Sequence, residues 1–484
     1  MRGEIHQKNI RLPTDQSEKG MIIYMLVDLL SAHKAGFKDY TELRAQTNTS
    51  KRVSFLSGNM TVNAQTSEGG VSARVYRGGT YGFASGAEYT ADSVTSVLAA
   101  ATDNAAFMDR RVNKGQPPLP SVTERNVEWR SIPSEDVAQS LLIDFAKELD
   151  SIIAGKYKNL SSRAVMVNCL DIEKLLYVSD GADSHFYQPR SLVYVFLTAD
   201  TSDGVPVELF KPLGGLGRFD ALFSDPSLLM QDIDELYESL MDKREGVYSN
   251  AGLRKCVMHP DLAGILAHEA VGHTVEADIV LGGSVAAHNV GNQVASELVS
   301  MVDFAHTALG EPCPLPVYVD DEGVIAEDAT LIDHGILKGF MHSRESARHF
   351  GVKPQGNARG FTFSDEPLIR MRNTAIIPGT SKLEDMIASI DDGYYLVKTG
   401  NGQADSTGEF MFAVELGYEI KNGKLGRAIR DTTISGVAFD MLKTVDMISD
   451  DMIWICTGFC GKKQPMTVGM GGPAIRCEVN IGGR

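Results

Sequence analysis

The sequence is short of everything that would place it in a specialised structural class. No apolar run reaches the roughly 20 residues that a membrane-spanning helix needs. The longest early candidate, residues 21–30, is interrupted by Asp28 and reads as a core helix. Behind Arg2 and Glu4 there is no apolar stretch closed by small residues, so no secretory signal is expected. Cysteine is scarce and irregularly spaced, with six in 484 residues, which excludes a disulfide framework and makes the reducing cytoplasm the expected location. Basic residues are outnumbered 46 to 63, and the resulting net charge of -17 repels phosphate backbones and anionic membranes, so neither nucleic acid nor membrane is an expected partner. Repeats and low-complexity tracts are missing as well, and aromatic residues make up only 7%.

What remains is the composition of a folded protein, 43% hydrophobic and 23% charged, in a chain long enough for two or three domains. Helical periodicity is expected over residues 20–33, 91–108 and 134–153, with strand-like alternation at residues 52–56 and 71–82. Prolines 117, 118 and 120 mark a loop. Two strand-rich runs, "RAVMVNCLDIEKLLYVSD" and "RSLVYVFLTADT", complete a mixed α/β region. Asp225-Pro226 opens a helix that runs to Gly246, with Asp as N-cap and Pro in the first turn. The expected boundary falls there: an amino-terminal α/β domain over 1–246 and a β-rich domain over 247–484, an α+β protein overall. Lys421-Asn422-Gly423-Lys424 is the clearest hairpin signal, because Asn-Gly takes positive φ readily.

The chemistry concentrates in "HPDLAGILAHEAVGHTVEAD". His268, Glu269 and His273 lie on a helix beginning at Pro260, close to the zinc-protease pattern but with one extra residue. Imidazoles four apart share a helical face, whereas five apart they diverge by roughly 140°. A single ion can therefore be shared only if the helix widens into a π-turn or breaks near Gly272. The trio suits hydrolysis: two neutral imidazoles hold a divalent ion, and the adjacent glutamate takes a proton from an activated water. The residues leave the third ligand open among Glu276, Asp278, His288, His306, His342 and a cysteine. Glycine clusters at residues 214–217 and 469–472 lack phosphate-loop context and read as turns, and Asp320-Asp321-Glu322 reads as a solvated turn.

These motifs together resemble the TldD branch of the TldD/PmbA metallopeptidase family. The resemblance is carried by HEAVGH at 268–273 with Glu276-Ala277-Asp278 behind it, and by "GNQVASELVSMVD", "YVDDEGVIAEDATLIDHGILKGFMHSRESA", "GNARG" at 356–360 and "RMRNT" at 370–374. Further matches are "GGVSARVYRGGTYGFAS" near the amino terminus and "CGKKQPMTVGMGGPAIR" near the carboxy terminus. It implies a zinc peptidase acting on unstructured peptides in extended form, with His268, His273 and Cys460 as ligands of one Zn2+ or another divalent ion. Cys460 rather than Cys456 fits, since Gly461 and Lys462 follow it. Glu269 is then the general base. Asn357, Arg359, Arg370, Arg372 and Asn373 are candidate substrate contacts, with surface salt bridging as the alternative for the arginines, and the oxyanion is expected to meet backbone N–H groups, Arg or His342. The family also implies pairing, as a homodimer or as a heterodimer with a related subunit lacking HExxxH. The rival reading is a catalytically silent binding or assembly subunit, against which the retained Glu269 argues.

Overall fold

The computed structural model describes residues 18–112, 114–119, 125–130 and 137–483. Helix α1 (Glu18–Ser31) leads into β1 (Tyr40–Leu56), β2 (Asn59–Arg77) and β3 (Thr80–Gly86), followed by α2 (Ala91–Val112), β4 (Arg125–Arg130) and α3 (Gln139–Lys156). Then come β5 (Ser162–Val178), β6 (Ala182–Asp200), β7 (Pro206–Leu216), α4 (Phe219–Leu222) and α5 (Met230–Arg244). The strands form one seven-stranded sheet in the order β3-β2-β1-β5-β6-β4, with β7 also on β6. All its pairings are antiparallel except β4 with β6.

The strands run much longer than the expected segments at residues 52–56 and 71–82, and the second of these contains the β2–β3 turn. Alternation explains both the length and the miss. Odd-numbered residues of β1 and β5, such as Leu43, Val53, Val165 and Leu175, pack on helices α1, α2 and α3. Even-numbered Glu42, Arg44, Gln46 and Asn48 are buried on the other face, where Arg74 pairs with Glu42 and polar partners from residues 321–365 meet the other three. Charged residues inside a strand thus mark a second buried face. Helix α2 likewise continues through Arg110 and Arg111, and the helix expected from Ser134 starts at Gln139, with residues 134–136 and Pro120 lying outside the described residues. Asp225 caps a 3-10 turn (Pro226–Leu229) by accepting from Ser227 N at 2.8 Å, and α5 follows.

The second half holds two six-stranded sheets. One is built around β8 (Gly252–Met258), flanked by Asp392–Ala404 and Ile475–Ile481, and continues through Glu409–Lys421 to Lys424–Val437. Asn422 and Gly423 make the two-residue turn of that last hairpin with φ of 50° and 74°. The other contains Met301–Phe304, Asn373–Ile376 and Gly469–Gly472. Helix α6 (Pro260–Leu266) contacts both sheets inside the largest hydrophobic core. The whole is an α+β fold. Among the described residues, no helix is long and apolar enough to cross a membrane.

Candidate metal centre

Helix α6 starts cleanly, with Pro260 at its first position and His259 accepting from Asp261 N at 3.2 Å. It then widens: Ala267–Gly272 is a π-turn, and a 3-10 turn, His273–Val275, follows. An i→i+5 repeat lets residues five apart share a face, and the two imidazole centroids come to 5.1 Å. Gly272 is not there for unusual angles, since its φ of -53° and ψ of -46° are ordinary for a helix. It is there for space, because a Cβ would sit 2.2 Å from Met371 Sδ. Gly264 serves the same end about two turns earlier, where a Cβ would meet the backbone of Met470 and Gly471 at 3.1–3.3 Å. The glycine-rich strand Gly469–Gly472 is what lets the helix lie this close.

Cys460 enters from the short hairpin of Phe459–Cys460 with Met466–Thr467. His268, His273 and Cys460 each present a ligand atom, all within 4.8 Å of one another. The Cys460 Sγ to His273 Nε2 distance is 3.4 Å. Burial alone would push this thiol up, but the two imidazoles pull it down to about 4, so it is held as a thiolate. Burial opposes a charge on His273 too, yet Cys460 and Glu276 raise it to about 10. His268 is wholly buried, and neither ring nitrogen has a hydrogen-bond partner. Two orphaned imidazole nitrogens beside a thiolate are a costly arrangement for a protein alone. They fit a borderline-soft divalent cation, for which nitrogen and sulfur are preferred donors. Glu269 is part-exposed, 3.6 Å from His273 Nε2 and 4.0 Å from His268 Nε2.

The other candidate ligands have different tasks. Glu276 accepts from His273 Nδ1 at 2.7 Å, which aims Nε2 at Cys460. That role was available from sequence, since residues three apart on a helical turn are neighbours. Lys462 donates to Asp278 at 2.8 Å and sits 3.3 Å from Glu276, tying the cysteine loop to the helix end. His306 stacks on Tyr318, and His342 lies between Phe340 and Phe350. Among the described residues, neither joins the three converging side chains.

The five expected substrate contacts are each buried and bonded to the protein itself. Arg370 donates to the carbonyls of Cys460, Lys462 and Gln464, all at 2.8 Å, clamping the loop that carries the thiol. Arg372 and Asn357 bond the fully buried Asp303, Asn373 bonds the main chain of Phe304 and Leu315, and Arg359 donates to Met371 O. For the arginines, burial excludes surface salt bridging. Asp320, Asp321 and Glu322 are not a solvated turn either: all three are buried, and Asp321 and Glu322 pair with Arg44, Lys174 and Arg74.

Known proteins match this chain in both halves. The family model described as PmbA/TldA metallopeptidase C-terminal domain matches residues 252–483, and that described as PmbA/TldA metallopeptidase domain 1 matches residues 41–105. A metalloprotease of Methanocaldococcus jannaschii is 30% identical over 345 residues, covering 69% of this chain and 74% of that one. This chain belongs to the TldD/PmbA metallopeptidase family. Another member, the zinc metalloprotease TldD homolog of Saccharolobus solfataricus, is 36% identical over 256 residues, 52% of this chain and 57% of its own length. The solved structure of TldE from Thermococcus kodakarensis shares the fold, with a TM-score of 0.74 at 18% identity, covering 95% of this chain and 100% of that one.

Proposed function

We propose that this TldD/PmbA-family chain is a zinc-dependent peptidase of the HExxxH-bearing, TldD-like branch. His268, His273 and Cys460 hold one divalent ion, and Glu269 is the general base. The observation that carries this reading is the convergence of three ligand atoms within 4.8 Å, with both His268 nitrogens buried and unpartnered. An ion bound by three protein donors with a position left open supplies Lewis acidity toward water and a peptide carbonyl. The residues do the rest. Glu269, exposed enough to meet solvent, takes the proton of the attacking water and passes it to the departing amine. Glu276 holds His273 in one orientation through Nδ1, and burial of His268 keeps water from competing behind the ligands.

The substrate in this reading is an unstructured peptide lying extended in a groove of the β-rich half, which we take as a domain of its own over 247–484, after an amino-terminal α/β domain over 1–246. The chain works in the cytoplasm, consistent with six free thiols, as a homodimer or with a related subunit lacking HExxxH. Likeness to TldE supports such pairing.

Metal analysis of the purified protein, joined to peptide cleavage with and without a chelator, tests the reading. About one ion per chain and cleavage abolished by the chelator are expected. A protein that binds no divalent ion tightly, or whose cleavage survives complete removal of the ion, would contradict it.

A further inference from the structure

Arg190 stands apart from the other buried arginines. Arg44, Arg74, Arg344 and Arg372 each meet a carboxylate. Arg190 is only 3% exposed, its Nε and Nη2 are buried without a hydrogen-bond partner, and among the described residues it has no ion pair. The groups facing it, the Cys456 thiol and the Tyr194 phenol, are both pushed up by burial and stay neutral. A lone guanidinium withdrawn from water costs several kcal/mol, and among the described residues no carboxylate offsets that cost.

Its place suggests what does. On β6 the even-numbered side chains face the second half: Gln188 donates to Pro316 O, and Tyr194 donates to Thr457 O at 2.7 Å. Arg190 lies on this face, with its guanidinium 5.9 Å from the centre of the Phe459 ring. Phe459 immediately precedes Cys460, is 52% exposed, and meets Phe361 edge-on. The strand that carries Phe459 and Cys460 pairs with Met466 and Thr467. A cationic fork and an exposed ring therefore adjoin the strand that carries the thiol.

We propose that Arg190 is a specificity-determining residue that receives a carboxylate of the peptide substrate, from an acidic side chain or from the free C-terminus. The inference rests on the peptidase reading above. A guanidinium matches a carboxylate bidentately, and a buried charge-assisted pair discriminates strongly against a neutral isostere. An exposed aromatic beside the fork suits an extended peptide.

The test uses fluorescent unstructured peptides with the metal-loaded protein. The parent carries Gln at every acidic position and an amidated C-terminus; one arm restores single Glu residues, and the other restores the free C-terminus. Binding by anisotropy and kcat/KM are measured for wild type and Arg190→Met. Wild type should prefer one carboxylate arm by roughly tenfold or more, and Arg190→Met should lose that preference while cleaving the neutral parent. Because an unpaired buried charge is replaced by an apolar chain, the variant should melt at the same or a higher temperature. Cleavage without charge preference, or a preference that survives in Arg190→Met, overturns this inference and leaves the peptidase reading standing. Failure of wild type to cleave any peptide sinks the peptidase reading, and equal binding of all arms then removes this inference as well. Loss of self-association in Arg190→Met with selectivity unchanged would assign the carboxylate to a second copy of the chain and also overturn it.

Discussion

Glu269 is near enough to both imidazoles to act at the same point in space, yet in the proposed site it is no ligand, and that separation of tasks can be measured. Glu269→Gln keeps size and hydrogen bonding but cannot take a proton. Metal content should stay at the wild-type value while turnover falls roughly a hundredfold or more; a loss under about tenfold would remove the general-base role. Cys460→Ser exchanges a soft thiolate for a hard hydroxyl and should lower metal affinity by at least the roughly 10- to 100-fold that even an outer partner is worth. Cys456→Ser and Cys477→Ser should leave titrations nearly unchanged, since Cys456 packs beside Arg190 and Cys477 opposes Cys256 between paired strands. A different residue governs acid stability. Burial pushes His342 down to about 4, so below the ordinary histidine value the unfolded chain takes up a proton that the folded one refuses. The stability tied to His342 is therefore whole above the unfolded value and drains away as pH falls toward the folded one. At roughly 1.4 kcal/mol per unit the loss approaches about 3 kcal/mol. Urea midpoints should drop more steeply on acidification for wild type than for His342→Gln, and parallel curves would show that the ring is not held neutral.

At the scale of elements, the site depends on a helix pressed against a strand with almost no side chains between them. Gly264 faces backbone of Gly469–Gly472 at 3.1–3.3 Å from where its Cβ would be, and backbone cannot swing aside as a side chain could. Gly264→Ala should therefore cost about 1–3 kcal/mol as an overpacking change. By tilting α6 it should also weaken metal binding, read as a lower melting temperature together with a larger dissociation constant. Unchanged values for both would mean that the helix has slack. The distortion itself was legible, because a His-to-His spacing of five makes sense on a shared ion only if the helix widens. The purpose of Gly272 was not, since the contact with Met371 joins residues about a hundred positions apart and leaves no local trace. The hairpin at residues 421–424 was legible because its turn chemistry is local. The lengths of β1 and β2 were not, because Glu42, Arg44 and Arg74 look like surface residues until their partners fold over them. The same non-locality hid the support that Arg370 gives to the cysteine loop and Arg372 to Asp303.

For the whole molecule, the decisive contacts tie the amino-terminal sheet to the half that carries the candidate metal centre. Asp321 accepts from Arg44 at 2.8 Å, from Lys174 at 2.9 Å and from Gly360 N at 2.7 Å. Burial would raise its carboxyl, but Lys174 and Arg44 outweigh that and hold it below its ordinary value. The lysine feels its burial more: despite Asp321 it is lowered to about 8. The next residue along, Phe361, takes hydrogen bonds from Gln46 and Asn48 on its carbonyl and donates to Gln464, which lies in the loop clamped by Arg370. A continuous chain of bonds thus runs from β1 to the residues around Cys460. Removing one member of a buried pair strands the other charge, at a cost of roughly 3–5 kcal/mol. Asp321→Ala should accordingly destabilise the protein by about that much, and Arg44→Met by less because Asp321 keeps Lys174, whereas the double variant should fall short of their sum because the stranded guanidinium is gone. The penalty should persist in high salt, since screening does not reach a pair this deeply buried. Strictly additive losses, or losses erased by salt, would show that the two halves are held by apolar packing and that the Asp321 cluster is a bystander. A large coupling energy would instead make the amino-terminal sheet part of what positions the thiol.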